Sequence, residues 1–197
     1  MFNGIIFNTG KVVKILKRKK GINIFIKSHL NLKKKQIGIS ISCDGVCLTL
    51  ISIQNKILEF YLSNETLNKS RFRNIKIGEI INLELPLKYG QGISGHICQG
   101  HVDTIGTVNK ITKIDKSMIY EFKIKKSKIK NLIEKASVLI NGVSLTISKV
   151  KKSSFQIWII PHTLKLTNFS ILKKRDIVNI EIDILSKYIK KFINEKE

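Results

Sequence analysis

Apolar and polar positions alternate with period two along much of this chain, the spacing that puts every second side chain on one face of a β-strand. Residues 37–42 read Ile-Gly-Ile-Ser-Ile-Ser, and an apolar run over 46–53 follows Asp44-Gly45. The same device returns as residues 137–140, Asn141-Gly142 and residues 143–150. Asp-Gly and Asn-Gly between apolar runs favour a type I′ turn, because both central residues must take positive φ, so each predicts a hairpin. Further strands are predicted over 57–62, 80–85, 118–124, 155–160 and 177–184. Helical spacing is rarer. Ser127 is placed to cap a short helix with Ile129, Leu132 and Ile133 on one face. Ser186 is placed to cap a terminal helix with an apolar stripe of Tyr188, Ile189, Phe192 and Ile193.

The two hairpins belong to a longer internal repeat. Gly45-Val46-Cys47-Leu48-Thr49 is answered 97 residues later by Gly142-Val143-Ser144-Leu145-Thr146. At the same offset Thr66-Leu67 meets Thr163-Leu164, and residues 80–84 meet residues 177–181. At an offset of 96, Gly4, Ile6, Gly10 and Val12 meet Gly100, Val102, Gly106 and Val108. Two copies are too few for a solenoid and predict two tandem domains of one fold. Short strands with turn chemistry make each a small antiparallel barrel, an all-β architecture closed by the terminal helix. The division expected is residues 1–90, 91–185 and 186–197, with the first boundary in the glycine-containing stretch 88–92. A doubled fold suggests a doubled ligand.

Composition changes this picture little. Of 197 residues, 36 are Lys or Arg and 14 Asp or Glu, a formal net charge of +22. Clustered basic residues attract phosphate backbones, but here they are dispersed over both halves and gather at turn signals such as residues 17–20, 33–35 and 173–175. We read the charge as composition, with no specific nucleic-acid site. Three cysteines form no disulfide framework and fit a reducing, cytoplasmic setting. No apolar run approaches the ~20 residues a membrane helix needs.

The segment 92–103 concentrates candidate chemistry, with His96, Cys98 and His101 beside Gly95 and Gly100, which let backbone approach a ligand closely. A zinc site from Cys43, Cys47, His96, Cys98 and His101 is disfavoured, since the repeat-mates of Cys43 and Cys47 are Ile140 and Ser144. We therefore expect no metal. Cys47-x-Thr49 and Ser144-x-Thr146 each put two polar groups on one strand face, an edge suited to a planar, carbonyl-rich ligand.

Five motifs go further: Met1-Phe2-Asn3-Gly4-Ile5-Ile6, Asp44-Gly45-Val46-Cys47-Leu48-Thr49, residues 95–103, Asn141-Gly142-Val143-Ser144-Leu145-Thr146 and Ile160-Pro161-His162-Thr163-Leu164. In order and spacing they resemble the riboflavin synthase family, alpha-chain type, from Met1 to about Tyr188. The resemblance implies two six-stranded antiparallel Greek-key barrels, one per substrate, and a C-terminal helix that assembles a homotrimer. It implies a cofactor-independent dismutation of two 6,7-dimethyl-8-ribityllumazine molecules, giving riboflavin and 5-amino-6-ribitylaminouracil. The alternative is a non-catalytic lumazine- or flavin-binding protein on the same fold.

Carried over by position, the resemblance places one lumazine near Gly4, Ile5, Ile6, Cys47, Leu48, Thr49, Glu65 and Thr66, with Tyr61, Leu62, Ser63 and Asn64 just before. The other lies near Gly100, His101, Val102, Lys135, Ser144, Leu145, Thr146, Ile160, Pro161, His162, Thr163, Leu164 and Lys165. Cys47, Ser144 and His101 are implied in the chemistry, and Ser40 and Asp183 match positions linked to activity. Association with a lumazine synthase is a further implied partner. The chain departs from the family pattern at Asn3, where Thr is usual, at Asn68-Lys69-Ser70, where Arg-Arg-Thr is common, and at Leu85, where Arg is frequent.

Overall fold

The computed structural model describes residues 1–194. Its first half contains β1 (Asn8–Arg18), β2 (Gly21–Ser28), β3 (Ser40–Cys43), β4 (Val46–Gln54), β5 (Ile57–Ser63) and β6 (Ile80–Glu84). The second contains β7 (Thr104–Ile114), β8 (Ser117–Lys123), β9 (Ser137–Ile140), β10 (Val143–Val150), β11 (Ser154–Ile159) and β12 (Ile177–Ile182). Each set closes into an antiparallel six-stranded barrel, with neighbours β1-β2-β5-β4-β3-β6 and β10-β11-β8-β7-β12-β9. The two rings have the same strand order. Short helices α1 (Asn64–Lys69) and α3 (Pro161–Leu166) follow β5 and β11, α2 (Lys126–Ile129) lies before β9, and α4 (Ile184–Asn194) follows the second barrel.

Closure comes from bulges as much as from alternation. Register shifts fall between Val12 and Lys14 and between Val108 and Lys110, at equivalent places in β1 and β7. A second pair lies between Leu50 and Ser52 and between Ile147 and Lys149. An extra residue bends the strand and sharpens its twist, as a small barrel requires. Inward residues such as Val12, Ile24, Phe60 and Ile81 fill the first barrel, and Val108, Phe122, Ile157 and Val178 the second.

The chain ends of the halves are exchanged. Ile6, from the segment before β1, is buried in the second core, whereas Val102, from the segment before β7, packs on the first. Phe2 and Cys98, equivalent at an offset of 96, bridge each other through N–H···O bonds of 2.8 and 3.0 Å. Equivalent residues that pair with each other lie on the approximate two-fold axis between the barrels.

The two hairpin tips meet on the same axis. Asp44 and Asn141 take φ of 45°, and Gly45 and Gly142 take 76° and 79°, the positive values the turn requires. A Cβ on either glycine would lie 2.8 Å from the other's nitrogen. Around the tips runs a buried polar seam. Asn82 Nδ2 donates to Asn141 O and Asn179 Nδ2 to Asp44 O, both at 2.9 Å. Arg71 N donates to Asn179 Oδ1 at 2.7 Å and Asn168 N to Asn82 Oδ1 at 2.8 Å. Symmetry breaks in the charges: Arg71 bridges Asp44 and Glu79, but its mate Asn168 turns its amide to Asp44.

Several predicted boundaries shift. Residues 37–39 lie outside β3, because a 3₁₀ turn at Lys34–Gln36 and Gly38 at φ 95° bring the chain in late. Ser127 does not cap α2: it sits inside a four-residue helix capped at Lys125. Ser186 likewise lies within α4, donating to Asp183 O at 2.8 Å, while Asp183 Oδ1 receives Leu185 N at 3.0 Å. Asp183 is thus the cap, and the strand predicted through 184 ends at Ile182. Strands β1, β2 and β7 and helices α1 and α3 had no prediction.

Candidate active site

On β4, Val46, Leu48 and Leu50 point into the first barrel, which leaves Cys47 and Thr49 on the outer face. α1 begins beside them because Ser63 Oγ caps it, receiving Thr66 N at 3.2 Å. Between strand and helix lies a cavity of about 270 Å³ lined by Val46, Cys47, Glu65, Thr66, Lys69, Ser70, Gly100, His101 and Val102. Its back wall is the exchanged segment: Cys47 N donates to Gly100 O at 2.8 Å, and a Cβ on Gly100 would meet Cys47 Cβ at 2.7 Å. Gly100 also holds φ 78°, so the close approach and the backbone angle both require glycine.

β10 repeats the arrangement. Ser144 and Thr146 occupy the outer face, and α3, with Pro161 at its first helical position, follows β11 as α1 follows β5. Ser144 N donates to Gly4 O at 2.8 Å, and Gly4 at φ 74° would set a Cβ 2.7 Å from Ser144 Cβ. The grouping expected from the resemblance is therefore crossed: Gly100, His101 and Val102 join Cys47, Glu65 and Thr66, while Gly4 joins Ser144. The reason is the exchange of chain ends across the two-fold axis.

Two carboxylates, half-buried Glu84 and buried Glu181, hold the exchanged segments. Glu84 receives Asn3 N at 2.7 Å and Gly4 N at 3.0 Å; Glu181 receives Gln99 N at 2.7 Å and His101 N at 2.6 Å. Burial raises both acids, Glu84 to about 7, against the pull of these amide donors. Neither was singled out as functional, although the match of residues 80–84 with 177–181 carried the signal. Phe2 was also missed; it is buried against Cys98 and Leu139 with Cys47 alongside.

The half-sites differ in one respect. Gly95 and His96 lie against Ser144. A Cβ on Gly95 would come 2.1 Å from Asn3 O and 2.9 Å from Ser144 Cβ. His96 Nδ1 then lies 2.7 Å from Ser144 Oγ. The thiol of Cys47 has no equivalent partner among the described residues.

Other predicted residues fall nearby or in the cores. Ser40 is paired with Thr49 across the β3–β4 ladder. Leu48 and Leu62 are core residues of the first barrel, and Leu145 and Leu164 pack on the second. Ile5 lines a separate groove of about 560 Å³ with Phe7, Glu84 and residues 85–91. Tyr61 Oη donates to Lys20 O at 2.7 Å, and Asn64 opens α1. Lys135 takes φ 70°, matching Gly38 in the first half, and its backbone N–H donates to Ile147 O at 2.8 Å. Ile160 caps α3; Pro161 and His162 are exposed, and Thr163 O receives Thr167 Oγ1 at 2.7 Å. Lys165 lies in the last turn of α3. Asp183 caps α4 close enough for its charge to act on His96. Burial raises the thiols of Cys43 and Cys98, which makes both poor nucleophiles. Among the described residues no group of three or more His, Cys, Asp or Glu gathers with the geometry to hold a metal ion.

Comparisons with known proteins agree with this doubled architecture. The lumazine binding domain family model matches twice, over residues 3–86 and 99–183. Riboflavin synthase from Actinobacillus pleuropneumoniae is 35% identical over 100% of this chain and 91% of its own length. That from Buchnera aphidicola subsp. Schizaphis graminum is 36% identical over 96% of this chain and 92% of its own. The crystal structure of LumP complexed with riboflavin superposes with TM-score 0.82 at 26% identity, covering 92% of this chain and 99% of that one. LumP complexed with 6,7-dimethyl-8-(1'-D-ribityl) lumazine gives 0.80 at 25% identity over the same shares. Two matched domains, each presenting a polar strand face roofed by the other's leading segment, and relatives of this identity over the full chain place the chain in the riboflavin synthase family, built on lumazine-binding domains.

Proposed function

We propose that this chain dismutates two molecules of 6,7-dimethyl-8-ribityllumazine to riboflavin and 5-amino-6-ribitylaminouracil, without metal or cofactor. The observation that carries the reading is the pair of intact half-sites, Cys47 with Thr49 and Ser144 with Thr146, in a chain that matches riboflavin synthases over its full length. The reaction consumes two copies of one substrate, and two related half-sites answer that need.

The C7 methyl of the lumazine is acidic because its carbanion delocalises into the pteridine. One bound ring loses this proton, and the anion attacks the second ring, which is activated by addition at its C7. Two eliminations then release the products. Thr49 and Thr146 hold pteridine edges, while Cys47, Ser144 and His101 stand at the reacting carbons. Orientation of two stacked rings supplies much of the acceleration, and hydrogen bonds to the delocalised anion supply more.

Residues 1–90 and 91–185 each supply the reactive strand for one substrate and lend their leading segment to the other half-site, and residues 186–197 serve assembly. The described part of α4 exposes Leu185, Tyr188, Ile189, Phe192 and Ile193, an apolar stripe suited to a neighbouring copy. In the resulting homotrimer the N-terminal half of one subunit faces the C-terminal half of the next. A cytoplasmic location fits three unpaired cysteines. No described helix is long and apolar enough to cross a membrane. Association with a lumazine synthase, which would supply the substrate, completes the reading.

The test is to mix the purified protein with 6,7-dimethyl-8-ribityllumazine and follow riboflavin by absorbance and chromatography. One riboflavin per two lumazines consumed is expected. The likeness to LumP favours one other reading, a protein that binds lumazine or flavin without converting it. Stoichiometric binding with no riboflavin formed would establish that reading instead.

A further inference from the structure

We propose that His96 is a positioning residue that donates its Nδ1–H to Ser144 Oγ, leaves the serine proton free to be donated to ligand, and so makes the C-terminal half-site the one that stabilises a lumazine anion. This rests on the dismutase reading and assigns its two unlike half-sites.

The geometry starts from backbone. His96 N donates to Asn3 O at 3.3 Å, Cys98 N donates to Phe2 O at 3.0 Å, and Gly95 packs against Asn3 O and Ser144 too closely for any side chain. These contacts fix the ring, which is only 8% exposed, with Nδ1 at 2.7 Å from Ser144 Oγ. The other ring nitrogen, Nε2, is buried and has no hydrogen-bond partner.

That orphaned atom selects the tautomer. A neutral imidazole carries one N–H and one lone pair. With the hydrogen on Nε2, a strong donor would be buried without an acceptor, the costliest kind of orphan. With it on Nδ1, the donor is satisfied by Ser144 Oγ and only a lone pair is left bare. The doubly protonated ring is disfavoured because burial lowers the His96 pKa, although the Asp183 charge opposes this. Ser144 Oγ therefore accepts from His96, and its own hydrogen has no claim on it within the pair.

A hydroxyl so held is a directed donor rather than a nucleophile. Cys47, its mate, shares a cavity wall with His101 but makes no hydrogen bond to it, and offers a polarisable thiol with no partner among the described residues. When the C7–H bond of a bound lumazine breaks, the electron pair spreads over the pteridine and the proton passes to solvent water. An aimed O–H lowers the energy of that anion, whereas an unpartnered thiol suits the ring that undergoes addition.

The first measurement is the nitrogen-15 NMR signature of His96 in the unliganded protein. The expected state is neutral with hydrogen on Nδ1; hydrogen on Nε2 overturns the proposal whatever the enzyme does. The second compares His96→Leu and His96→Asn for turnover and for deuterium entry into the C7 methyl of bound lumazine in D2O. Leucine should slow both by about tenfold or more with KM nearly unchanged, as for loss of one directed donor. Asparagine, whose amide N–H reaches the place of Nδ1, should restore most of the loss. Equal rates in all three proteins, or a KM increase alone, would mean that the ring merely covers the site. If the parent exchanges deuterium as expected but forms no riboflavin, the dismutase reading fails while the anion assignment stands.

Discussion

Gly4 and Gly100 each solve two problems with one missing Cβ. Both adopt positive φ, and both bring a carbonyl to the backbone N–H of the reactive-strand residue, Ser144 or Cys47. Gly100→Ala forces a Cβ to within 2.7 Å of Cys47 Cβ and 2.8 Å of its nitrogen. We expect it to cost about 1–3 kcal/mol for the backbone angle alone and to weaken lumazine binding in the first half-site; chemical denaturation and fluorescence titration would check both. Glu84 offers a pH test. Its folded-state pKa of about 7 lies above the usual 4.5, so between those values the folded protein holds a proton that the unfolded chain has lost. This contribution favours folding at low pH and is lost as pH rises towards 7. Glu84→Gln should therefore gain stability relative to the parent by about 1 kcal/mol per pH unit between roughly 5 and 7, read from thermal melts across that range. A flat difference curve would contradict the burial argument. The half-site strands were legible because Cys47-x-Thr49 and its mate stand out against apolar neighbours. The crossing of Gly4 and Gly100 was not, since offsets along a sequence do not tell which barrel a segment caps.

Turns were the most readable elements, and bulged strands the least. Asp44-Gly45 and Asn141-Gly142 announce their hairpins because few residues tolerate positive φ. β1 and β7 went unpredicted because the bulges after Val12 and Val108 shift alternation by one residue midway, so neither strand keeps one period. α1 and α3 were missed because six residues carry too few turns for a 3.6-residue pattern to declare itself. The seam between barrels gives an element-scale prediction. Arg71 satisfies the Asp44 carboxylate, whose pKa burial raises despite the adjacent guanidinium. Removing one partner of a buried ion pair leaves an uncompensated charge, so Arg71→Ala should destabilise the protein by about 3–5 kcal/mol. Asp44→Asn copies the neutral mate Asn141, and the Asp44→Asn/Arg71→Ala double variant should recover a large part of the loss. Denaturant midpoints for the four-protein cycle decide this, and simple additivity would place the effect of Arg71 elsewhere, in its bond to Glu79.

At the scale of the whole molecule, the reaction asks for two rings face to face, and one chain carries its two half-sites on either side of an approximate two-fold axis. The Phe2–Cys98 bridge and the hairpin tips occupy that axis, so protein fills the ground between Cys47 and Ser144. In the homotrimer proposed above, a second copy brings the facing half-site and α4 is the element that recruits it. Its apolar side chains are more than half exposed, with Ile189 at 60% and Phe192 at 61%. Exposure of this kind on an amphipathic helix suits the proposed interface. Ile189→Glu/Phe192→Glu places charge in that stripe without touching either barrel core. Sedimentation should show the parent as a trimer and the variant as a monomer. Lumazine titration should still find binding within a few-fold of the parent, because each half-site is built inside one chain. Turnover should fall by about 100-fold or more, since the variant keeps its ligands but loses their mutual orientation. Full turnover by a monomer would instead place both reacting rings within one chain and remove the need for assembly.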